Sequence, residues 1–369
     1  MTEEPLNIIH LISNRTWGGG ERYALDLCRR CAADGHSIAV VTRGIEAVDS
    51  RFAAAGFKPG HLPLGGPLDL VSPLQLARIL NRLDAPVIVH SHNFKDARTA
   101  LAARRLSRRP RQIHVVTTRH LARPADTGAT AKATYGGLDA IVFVSETARR
   151  TFLSSSPAVD HGRLHVIHNS LLDTAAEHEP ANADAPLRLL YCGRLCAEKG
   201  LHTLIEALEQ MPAASWQLTV AGEGKGTYVL PLMRRCRQAG IDGKVDWAGP
   251  VDDIAPLLAA ADAGIVPTVA PEAFGLSILE FMQAGMAVVT TDNGAQPELI
   301  TAGENGILVP PSDSKALAAA IGDLIADRQL AAQLGASARR KALAVFGYDN
   351  FYKNITGIYR RCLSPDTRS

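Results

Sequence analysis

Two glutamates eight positions apart, Glu272 and Glu280, carry the most informative chemistry in the sequence. Glu272 follows an apolar run that is typical of a buried strand, and Glu280 lies in an apolar helical pattern that begins near Leu276. The first turn of a helix has unpaired backbone N–H groups and a positive dipole end, so it favours anions. Gly275 would let a ligand approach that turn closely. Because carboxylates accept strong hydrogen bonds from sugar and ribose hydroxyls, the segment predicts a grip on two hydroxyl-rich groups flanking a phosphate. The alternative is an acidic helix start followed by a solvated glutamate.

Two cations in the second half of the chain would complement these carboxylates. Arg194 and Lys199 belong to the segment Gly193–Gly200, which directly follows an apolar strand pattern. Fixed positive charges beside a loop stabilise a leaving diphosphate, on which negative charge develops in the transition state. Gly222 and Glu223 form a flexible turn after the next strand pattern. Solvated surface charge is the alternative interpretation of the two cations.

The first half contributes a glycine loop and two histidines. Gly18–Gly20, followed by Glu21, connects the first strand pattern to a helical pattern. Such glycines leave N–H groups open to a phosphate or a closely held sugar, although the spacing is not that of the dinucleotide fingerprint. His92 and His120 follow strand patterns, and either imidazole could bind a sugar hydroxyl or assist proton movement. A structural role near a strand end is the alternative for both.

These motifs fall at the ends of apolar runs that alternate with amphipathic stretches. Near-continuous apolar strands alternating with helices indicate parallel sheets covered on both faces. The predicted strands of the first half are Leu6–Ile12, Ile38–Thr42, Val87–His90, Ile113–Thr118, Ala140–Ser145 and His165–His168. Those of the second half are Leu187–Cys192, Gln217–Ala221, Val245–Ala248, Ala263–Pro267, Ala287–Thr290 and Gly306–Val309. The predicted helices include Glu21–Ala33, Pro73–Leu83, Asp96–Leu106, Leu276–Ala284 and Lys315–Ala326.

The length of 369 residues favours two domains. We predict an α/β fold with an amino-terminal domain over residues 1–173 and a carboxyl-terminal domain over 187–345. Residues 174–186 are rich in alanine, proline and acidic residues and are predicted to be a linker. Residues 346–369 are predicted to form a helical tail, whose packing partner the pattern does not determine. Two doubly wound sheets in tandem would bind ligands in a cleft at the carboxyl ends of their strands.

Composition narrows the class of partner. The chain is 46% apolar with a net charge of +2, and no apolar run reaches the ~18 residues that a membrane span needs. Its acidic amino terminus lacks a signal-peptide pattern, so we expect the cytoplasm or its membrane face. The six cysteines show no repeated metal-ligand spacing, and Cys28 and Cys31 are expected on a helix. No metal site is predicted.

Charge is unevenly distributed along the chain. Residues 1–173 contain 22 Lys and Arg against 15 Asp and Glu. A basic half suggests an anionic partner such as a phospholipid surface or a phosphorylated glycan. The densest basic cluster consists of Arg104, Arg105, Arg108, Arg109 and Arg111. A solvated helix end is the alternative interpretation of this cluster.

The ordered motifs resemble those of GT-B glycosyltransferases of the large retaining family 4, the "glycosyl transferases group 1" type. The matching pieces are Gly18–Glu21, Gly193–Gly200 as G-R-L-x-x-E-K-G, Gly222–Gly224, and Glu272–Glu280 as E-x7-E. The resemblance spans nearly the whole chain. Two positions depart from the family pattern: Ser170 follows Asn169 where many relatives have glycine, and Thr268 replaces the usual serine.

The resemblance implies two facing Rossmann-like domains, with the nucleotide-sugar held mainly by the second. It assigns Arg194 and Lys199 to the diphosphate and Glu280 to the ribose hydroxyls. Glu272 would hold the transferred sugar. The backbone that would hold this sugar and its phosphate is that of Phe274, Gly275 and Leu276, and the turn at Gly222 and Glu223 would complete the donor site.

In the first domain, the resemblance implies that His120 touches the donor sugar near the reacting carbon. Gly19 and Gly20 would close over the donor and the acceptor hydroxyl. His92 and Glu21 are the candidates on the acceptor side. The catalytic set implied by the resemblance is therefore His120, Arg194, Lys199 and Glu272.

The implied reaction transfers a hexose, with retention, from a UDP- or GDP-sugar to a hydroxyl of a glycan or lipid-linked saccharide in cell-surface polysaccharide or lipopolysaccharide synthesis. UDP is the first expectation and GDP the second. Neither a metal nor another cofactor is expected, and nucleic acid is not an expected partner. The alternatives are a nucleotide-sugar epimerase of the same fold, which would need added acid and base carboxylates, and an inactive nucleotide-sugar-binding protein.

Overall fold

The computed structural model describes residues 4–66, 69–83, 86–172 and 185–364. It divides the chain into two compact units: the first comprises Met1–Asn169 with Asp349–Ser369, and the second comprises Ser170–Tyr348. Of the predicted linker, only Ala185 and Pro186 lie within the described residues.

The first unit is built on a parallel sheet with flanking helices. Its strands are β1 (Asn7–Ile12), β2 (Ser37–Thr42), β3 (Gly60–His61), β4 (Val87–Ser91), β5 (Ile113–Arg119), β6 (Ala140–Phe143) and β7 (Leu164–Val166). Their order across the sheet is β3-β2-β1-β4-β5-β6-β7. The helices are α1 (Gly19–Ala33), α2 (Glu46–Ala54), α3 (Val71–Leu80), α4 (Phe94–Leu106), α5 (Ala129–Gly137) and α6 (Glu146–Leu153). Because β1, β4 and β5 are adjacent and parallel, the residues that follow them lie at one edge of the sheet.

The second unit repeats this plan. Its strands are β8 (Leu187–Cys192), β9 (Trp216–Ala221), β10 (Val245–Gly249), β11 (Ala263–Val266), β12 (Ala287–Thr291) and β13 (Ile307–Val309). They form a parallel sheet in the order β10-β9-β8-β11-β12-β13. The helices are α7 (Leu201–Glu209), α8 (Gly226–Gln238), α9 (Ala255–Ala260), α10 (Leu276–Ala284), α11 (Gln296–Leu299), α12 (Ser314–Ala326) and α13 (Arg328–Val345). A buried apolar core that includes Trp216, Leu204 and Ile265 joins this sheet to its helices.

Helix α10 has the bounds that the sequence predicts. Glycines with left-handed backbone angles flank it: Gly275 before its first residue, with φ 104°, and Gly285 after its last, with φ 78°. Such angles suit glycine because it has no Cβ. Every residue from Ile278 to Ala284 is buried, and most of them are apolar. This apolar run between two glycines is why the sequence predicts the bounds of the helix.

Other elements differ from the sequence predictions. Helix α3 begins at Val71, before the proline that marked its predicted start, because Asp69 Oδ1 accepts the N–H groups of Val71 and Ser72 at 3.0 and 2.9 Å. Helix α13 was not predicted because its alanines and arginines show no strong apolar period. Its central Gly335 packs directly against backbone, since a Cβ there would lie 2.1 Å from Gly285 O.

The predicted tail forms helix α14 (Tyr348–Leu363), which belongs with the first unit from Asp349 onward. Arg30 Nη1 lies 2.7 Å from Asp349 Oδ1, and the Arg30 guanidinium lies 4.9 Å from the centre of the Tyr352 ring. His90 Nδ1 lies 2.6 Å from the Tyr359 hydroxyl oxygen. These contacts settle the packing partner that the sequence left open. Within the described part of the chain, no helix combines the length and apolar character needed to cross a bilayer.

Candidate active site

In the second unit, the loop between β11 and α10 carries Glu272. Its carboxylate forms an ion pair with Lys199 Nζ and accepts a hydrogen bond from Thr268 Oγ1 at 3.2 Å. The side chains of Lys199 and Glu272 are 25% and 14% exposed. The structure thus brings together two predicted site residues that lie far apart in the sequence. Thr268 replaces the usual serine of the family pattern, and its hydroxyl is the group that donates to Glu272.

The backbone of Glu272 is held by the loop after β12. Ala295 N–H donates to Glu272 O at 2.9 Å. Gly294 has φ +67°, and a Cβ on it would lie 2.4 Å from Glu272 N, so only glycine fits there. Sequence reasoning missed this loop. The signal that could have identified it is the Asn293-Gly294 turn pair immediately after an apolar strand pattern.

The loop that carries Lys199 packs against the same segment. Gly200 has φ +72°, and a Cβ there would lie 1.8 Å from Pro267 O. The N–H groups of Val269 and Ala270 both donate to Glu198 O, at 2.9 and 3.1 Å. Direct backbone contact between the two loops therefore sets the position of the Lys199–Glu272 pair.

Helix α10 presents its amino terminus beside this loop. Ser277 Oγ donates to Cys192 O at 2.9 Å, which ties the helix start to the end of β8. The Phe274 side chain is 2% exposed and packs edge-on against Phe346, so only its backbone can face a ligand. Leu276 follows Gly275 as the first helical residue, and Glu280 lies one turn further on, 5% exposed.

The remaining predicted donor residues lie on neighbouring turns. Gly222 has φ +144°, and a Cβ there would lie 1.9 Å from Gly193 O, so this glycine is required for packing between the turns after β8 and β9. Leu195 N–H donates to Glu223 O at 2.8 Å. The Arg194 side chain is exposed, and in the described part of the chain it forms no ion pair with Glu272.

A recess of about 250 Å³ opens beside these turns. Leu195, Gly222, Glu223, Trp247 and Pro250 contribute to its wall. Trp247 at the end of β10 is half-buried, so its indole supplies a flat apolar surface. Sequence reasoning did not single out Trp247 or Pro250, because nothing in their spacing marks a ligand site.

In the first unit, four histidines gather at the edge where β1, β4 and β5 end. His10 and His90 are register partners on β1 and β4. His92 Nε2 lies 3.0 Å from His10 Nδ1, and His92 Nδ1 lies 3.3 Å from His120 Nε2. Both nitrogens of His90 are also used, by the hydroxyls of Tyr359 and Thr118 at 2.6 and 2.8 Å. Sequence reasoning identified His92 and His120 but missed His10.

Burial keeps these histidines neutral at physiological pH. It lowers the pKa of His10 to about 3 and that of His120 to about 4. Nitrogen atoms of His10, His90 and His92 lie within 4.8 Å of one another, so these three could hold a metal ion. Apart from His10 Nε2, their nitrogens already take part in hydrogen bonds. The expectation of a metal-independent reaction stays a prediction.

Helix α1 covers this group with its glycine-rich start. It begins at Gly19, and a Cβ on Gly20 would lie 3.5 Å from the His120 ring. Glu21 is 3% exposed and accepts a hydrogen bond from Asn14 Nδ2, and burial raises its pKa. His92 is 4% exposed, with His10 and His120 on its two nitrogens. Both side chains are therefore buried, and their contact with an acceptor stays a prediction.

Two family models together match most of the chain. Residues 174–341 match the model described as "Glycosyl transferases group 1", and residues 17–171 match "Glycosyltransferase Family 4". The lipopolysaccharide core biosynthesis mannosyltransferase LpcC of Rhizobium leguminosarum bv. viciae is 32% identical over 240 residues, which cover 63% of this chain and 67% of that protein. The chain belongs to glycosyltransferase family 4.

Further comparisons agree with this family 4 assignment. The lipopolysaccharide core biosynthesis glycosyltransferase LpsE of Rhizobium meliloti is 34% identical over 173 residues, and the chain spans about half of its length (47%). The crystal structure of Anabaena HepE in complex with UDP and glucose has a TM-score of 0.82 at 21% identity, covering 96% of this chain and 99% of that one. The predicted fold class, GT-B with two Rossmann-like parallel-sheet domains, is confirmed.

Proposed function

We propose that this family 4 protein is a retaining hexosyltransferase that uses a nucleoside-diphosphate sugar. Its acceptor is a hydroxyl of a glycan or lipid-linked saccharide in the synthesis of cell-surface polysaccharide or lipopolysaccharide. The observation that carries the proposal is the pairing of Lys199 with Glu272 beside the amino terminus of α10. A cation, a carboxylate and a helix start at one place suit a diphosphate joined to a sugar.

In this proposal, positive charge stabilises the leaving diphosphate. Lys199 exchanges part of its contact with Glu272 for a phosphate oxygen, and the first N–H groups of α10 face the same anion. Glu272 then accepts hydrogen bonds from hydroxyls of the transferred sugar, and Glu280 from those of the ribose. Arg194, exposed on the adjacent turn, supplies a second cation. These groups act most strongly in the transition state, where the diphosphate gains charge.

The recess beside Trp247 suits the nucleobase of the donor. It adjoins the turns at Gly222 and Arg194 and is walled by an indole and by aliphatic atoms, which pack against a flat heterocycle. HepE, which has a similar fold, was crystallised with UDP and glucose, so UDP is the first candidate. GDP is the second.

His120, which belongs to the first unit, would position the donor sugar. Its lowered pKa suits a neutral hydrogen-bonding partner of a sugar hydroxyl better than a general base at pH 7. The acceptor hydroxyl would attack the anomeric carbon as its bond to the diphosphate oxygen breaks. That oxygen would take the hydroxyl proton on the same face, so the anomeric configuration is retained.

We further propose that the first unit contacts an anionic phospholipid surface. Val71, Leu74 and Arg78 follow one exposed stripe of α3, with Val71 50% and Leu74 48% exposed. Asn81 Oδ1 accepts the Arg108 N–H at 2.8 Å, which joins the carboxyl ends of α3 and α4. Leu106 beside this junction is 52% exposed. Exposed apolar side chains together with exposed arginines on these two helix ends suit anionic headgroups.

The structure divides the predicted arginine cluster. Arg104 is tied internally, because its Nη1 lies 2.8 Å from Asp139 Oδ2 and its Nη2 donates to Gly137 O at 2.6 Å. Arg105, Arg108 and Arg111 are exposed. We therefore assign the phospholipid contact to the exposed arginines and leave Arg104 a structural role.

The enzymatic proposal is tested by release of nucleoside diphosphate from a panel of UDP- and GDP-sugars, with and without saccharide acceptors. Acceptor-dependent release, with product whose anomeric proton coupling matches the donor, supports it. Inversion of the donor sugar at a ring carbon without acceptor would indicate an epimerase. Donor binding without turnover for any acceptor would indicate an inactive binding protein.

Phospholipid contact is tested by sedimentation of the full chain with vesicles of phosphatidylcholine alone or mixed with phosphatidylglycerol. We expect binding only to the anionic vesicles, reduced by Arg105→Glu. Arg237→Glu reverses the charge of another exposed arginine, on α8 of the second unit. It is the matched control and should bind like the wild type. Equal losses in both variants would contradict the assigned surface.

A further inference from the structure

Three histidines from neighbouring strands of the first unit form one hydrogen-bonded chain. His10 contacts His92 and His92 contacts His120, at 3.0 and 3.3 Å between ring nitrogens. Adjacent rings are nearly parallel, with interplanar angles of 15° and 23°. His10 is fully buried and His120 is half-buried. The chain therefore runs from the core to the sheet edge at which Gly20 lies.

The tautomers of the three rings are linked. A hydrogen bond between two neutral imidazoles needs one N–H and one lone pair. If His92 carries its proton on Nδ1, it donates to His120 Nε2 and accepts from His10 Nδ1. If His92 carries the proton on Nε2, both bonds reverse. The first arrangement leaves the proton of His120 on Nδ1, and the second leaves it on Nε2.

The buried end of the chain selects between the two arrangements. His10 Nε2 is buried, and no hydrogen-bond partner for it lies among the described residues. The second arrangement would place an N–H group there, whereas the first leaves a bare lone pair. Orphaned buried N–H groups are rarer than unpaired buried acceptors. The first arrangement is therefore favoured, and His120 holds its proton on Nδ1.

The neighbouring His90 does not add a further hydrogen bond to the His10–His92–His120 chain. His90 packs against His92 with ring centres 4.5 Å apart, but its nitrogens are bonded to Tyr359 and Thr118. Burial also lowers the pKa of His10, His92 and His120, so a chain of three neutral rings is the state at pH 7.

The geometry points to His10 and His92 as positioning residues that hold His120 in the Nδ1–H tautomer, so that His120 donates a hydrogen bond to the substrate. This inference rests on the proposed function, in which His120 binds a hydroxyl of the donor sugar. It replaces the expectation that His92 touches the acceptor. His92 acts through His120, and His10 sets the direction of the chain.

Nitrogen NMR of the full chain labelled with ¹⁵N-histidine tests the tautomer directly. The His120→Gln variant identifies the His120 signals. We expect a protonated, pyrrole-type Nδ1 and a bare, pyridine-type Nε2 in the wild type. The reverse pattern would overturn the inference. Since this measurement needs no turnover, it stands or falls separately from the proposed transferase activity.

Two substitutions of His92 test the functional consequence. His92→Asn keeps an amide N–H near the position of Nδ1, whereas His92→Leu supplies no donor to His120. We expect His92→Leu to lower kcat about tenfold, the effect of one lost positioning hydrogen bond, and His92→Asn to retain more activity. The Kd for free UDP should be unchanged in both, because the proposed nucleotide site lies in the second unit. Equal losses in the two variants would indicate packing alone.

The pKa of His120 adds a readout that packing would not move. The titratable groups facing His120 are Tyr23 of α1 and the imidazoles of His92 and His90. Burial raises the pKa of Tyr23, so it stays protonated across the tested range. Without a donor on Nε2, His120 binds a proton more easily, so its pKa, followed in the ¹⁵N spectrum, should rise in His92→Leu. An unchanged pKa of His120 in this variant would overturn the positioning role.

Discussion

The two units hold their candidate site residues by different means. In the second unit, charged side chains are placed by backbone packed on backbone, as at Gly200 against Pro267 and Gly294 against Glu272. In the first unit, neutral imidazoles are placed by hydrogen bonds between side chains, from His10 to His120. The difference follows from charge. Charged side chains stay near water and are held in place by the backbone behind them. Neutral imidazoles can be buried when most of their nitrogens are hydrogen-bonded.

The largest effect is expected from removing the positive charge of Lys199 in the second unit. Lys199→Ala should lower kcat by about 10²–10³-fold, because it removes charge stabilisation of the leaving diphosphate. Thermal stability should change little, since a partly exposed ion pair contributes only about 0–1 kcal/mol. Steady-state kinetics beside a melting curve would measure both. Full turnover in Lys199→Ala would show that the diphosphate is bound elsewhere.

The backbone frame of the second unit is tested at its closest approach. Gly200→Ala puts a Cβ where 1.8 Å separates it from Pro267 O, and it should cost about 2–3 kcal/mol of unfolding free energy. Gly20→Ala is the matched control in the first unit, because its Cβ would meet the His120 ring at 3.5 Å, an ordinary contact. It should be neutral or slightly stabilising. Urea unfolding of both variants measures the difference, and equal costs would remove the distinction between the units.

Acid stability tests the neutral character of the histidine chain. The folded-state pKa of His10 is lowered to about 3, below the unfolded value of about 6.5. Between these values the unfolded state binds more protons, so stability falls as the pH falls. Each such histidine contributes a slope of about 1.4 kcal/mol per pH unit. His10→Leu should therefore lose less stability than the wild type from pH 6 to pH 4, as measured by urea unfolding.

A carboxyl group provides the opposite control in the same unit. Burial raises the pKa of Asp96 to about 7, so its folded state holds a proton that the unfolded state releases above about pH 3.9. Asp96 therefore contributes a free energy of unfolding that increases as the pH falls. In Asp96→Asn this contribution is absent, so the stability of the protein should fall more steeply from pH 6 to pH 4. Parallel pH dependences of His10→Leu and Asp96→Asn would contradict both assignments.

The smallest expected effect concerns the hydrogen bond between His90 and α14. Tyr359→Phe removes the hydroxyl that lies 2.6 Å from His90 Nδ1 and keeps the packing of the ring. The loss should be about 1 kcal/mol of unfolding free energy. Tyr352→Phe, on the same helix, is a useful comparison because its hydroxyl interacts with Cys31 and Asp34 of the neighbouring helix and turn instead of with His90. A larger loss in Tyr352→Phe would contradict the assignment.

The sequence alone identified the alternating elements and most loops that carry charged site residues. Strand β8 and helix α10 have the predicted bounds, because a continuous apolar run or a sustained helical period is written locally. Helix α13 and strand β3 escaped prediction, since the first lacks a strong apolar period and the second has only two residues. His10 escaped because a histidine inside an apolar strand shows nothing of its neighbours across the sheet.

The amino-acid sequence determined the GT-B fold class, the family 4 motifs and the residue types that a diphosphate and a sugar would need. The folded structure was needed to show that Lys199 pairs with Glu272, that α14 packs on the first unit, and that His10 lies behind His92 and His120. The cause is the range of the interactions involved. Periodicity and turn chemistry act over a few residues, whereas ion pairs, strand register and linked tautomers join positions that only the folded chain brings together.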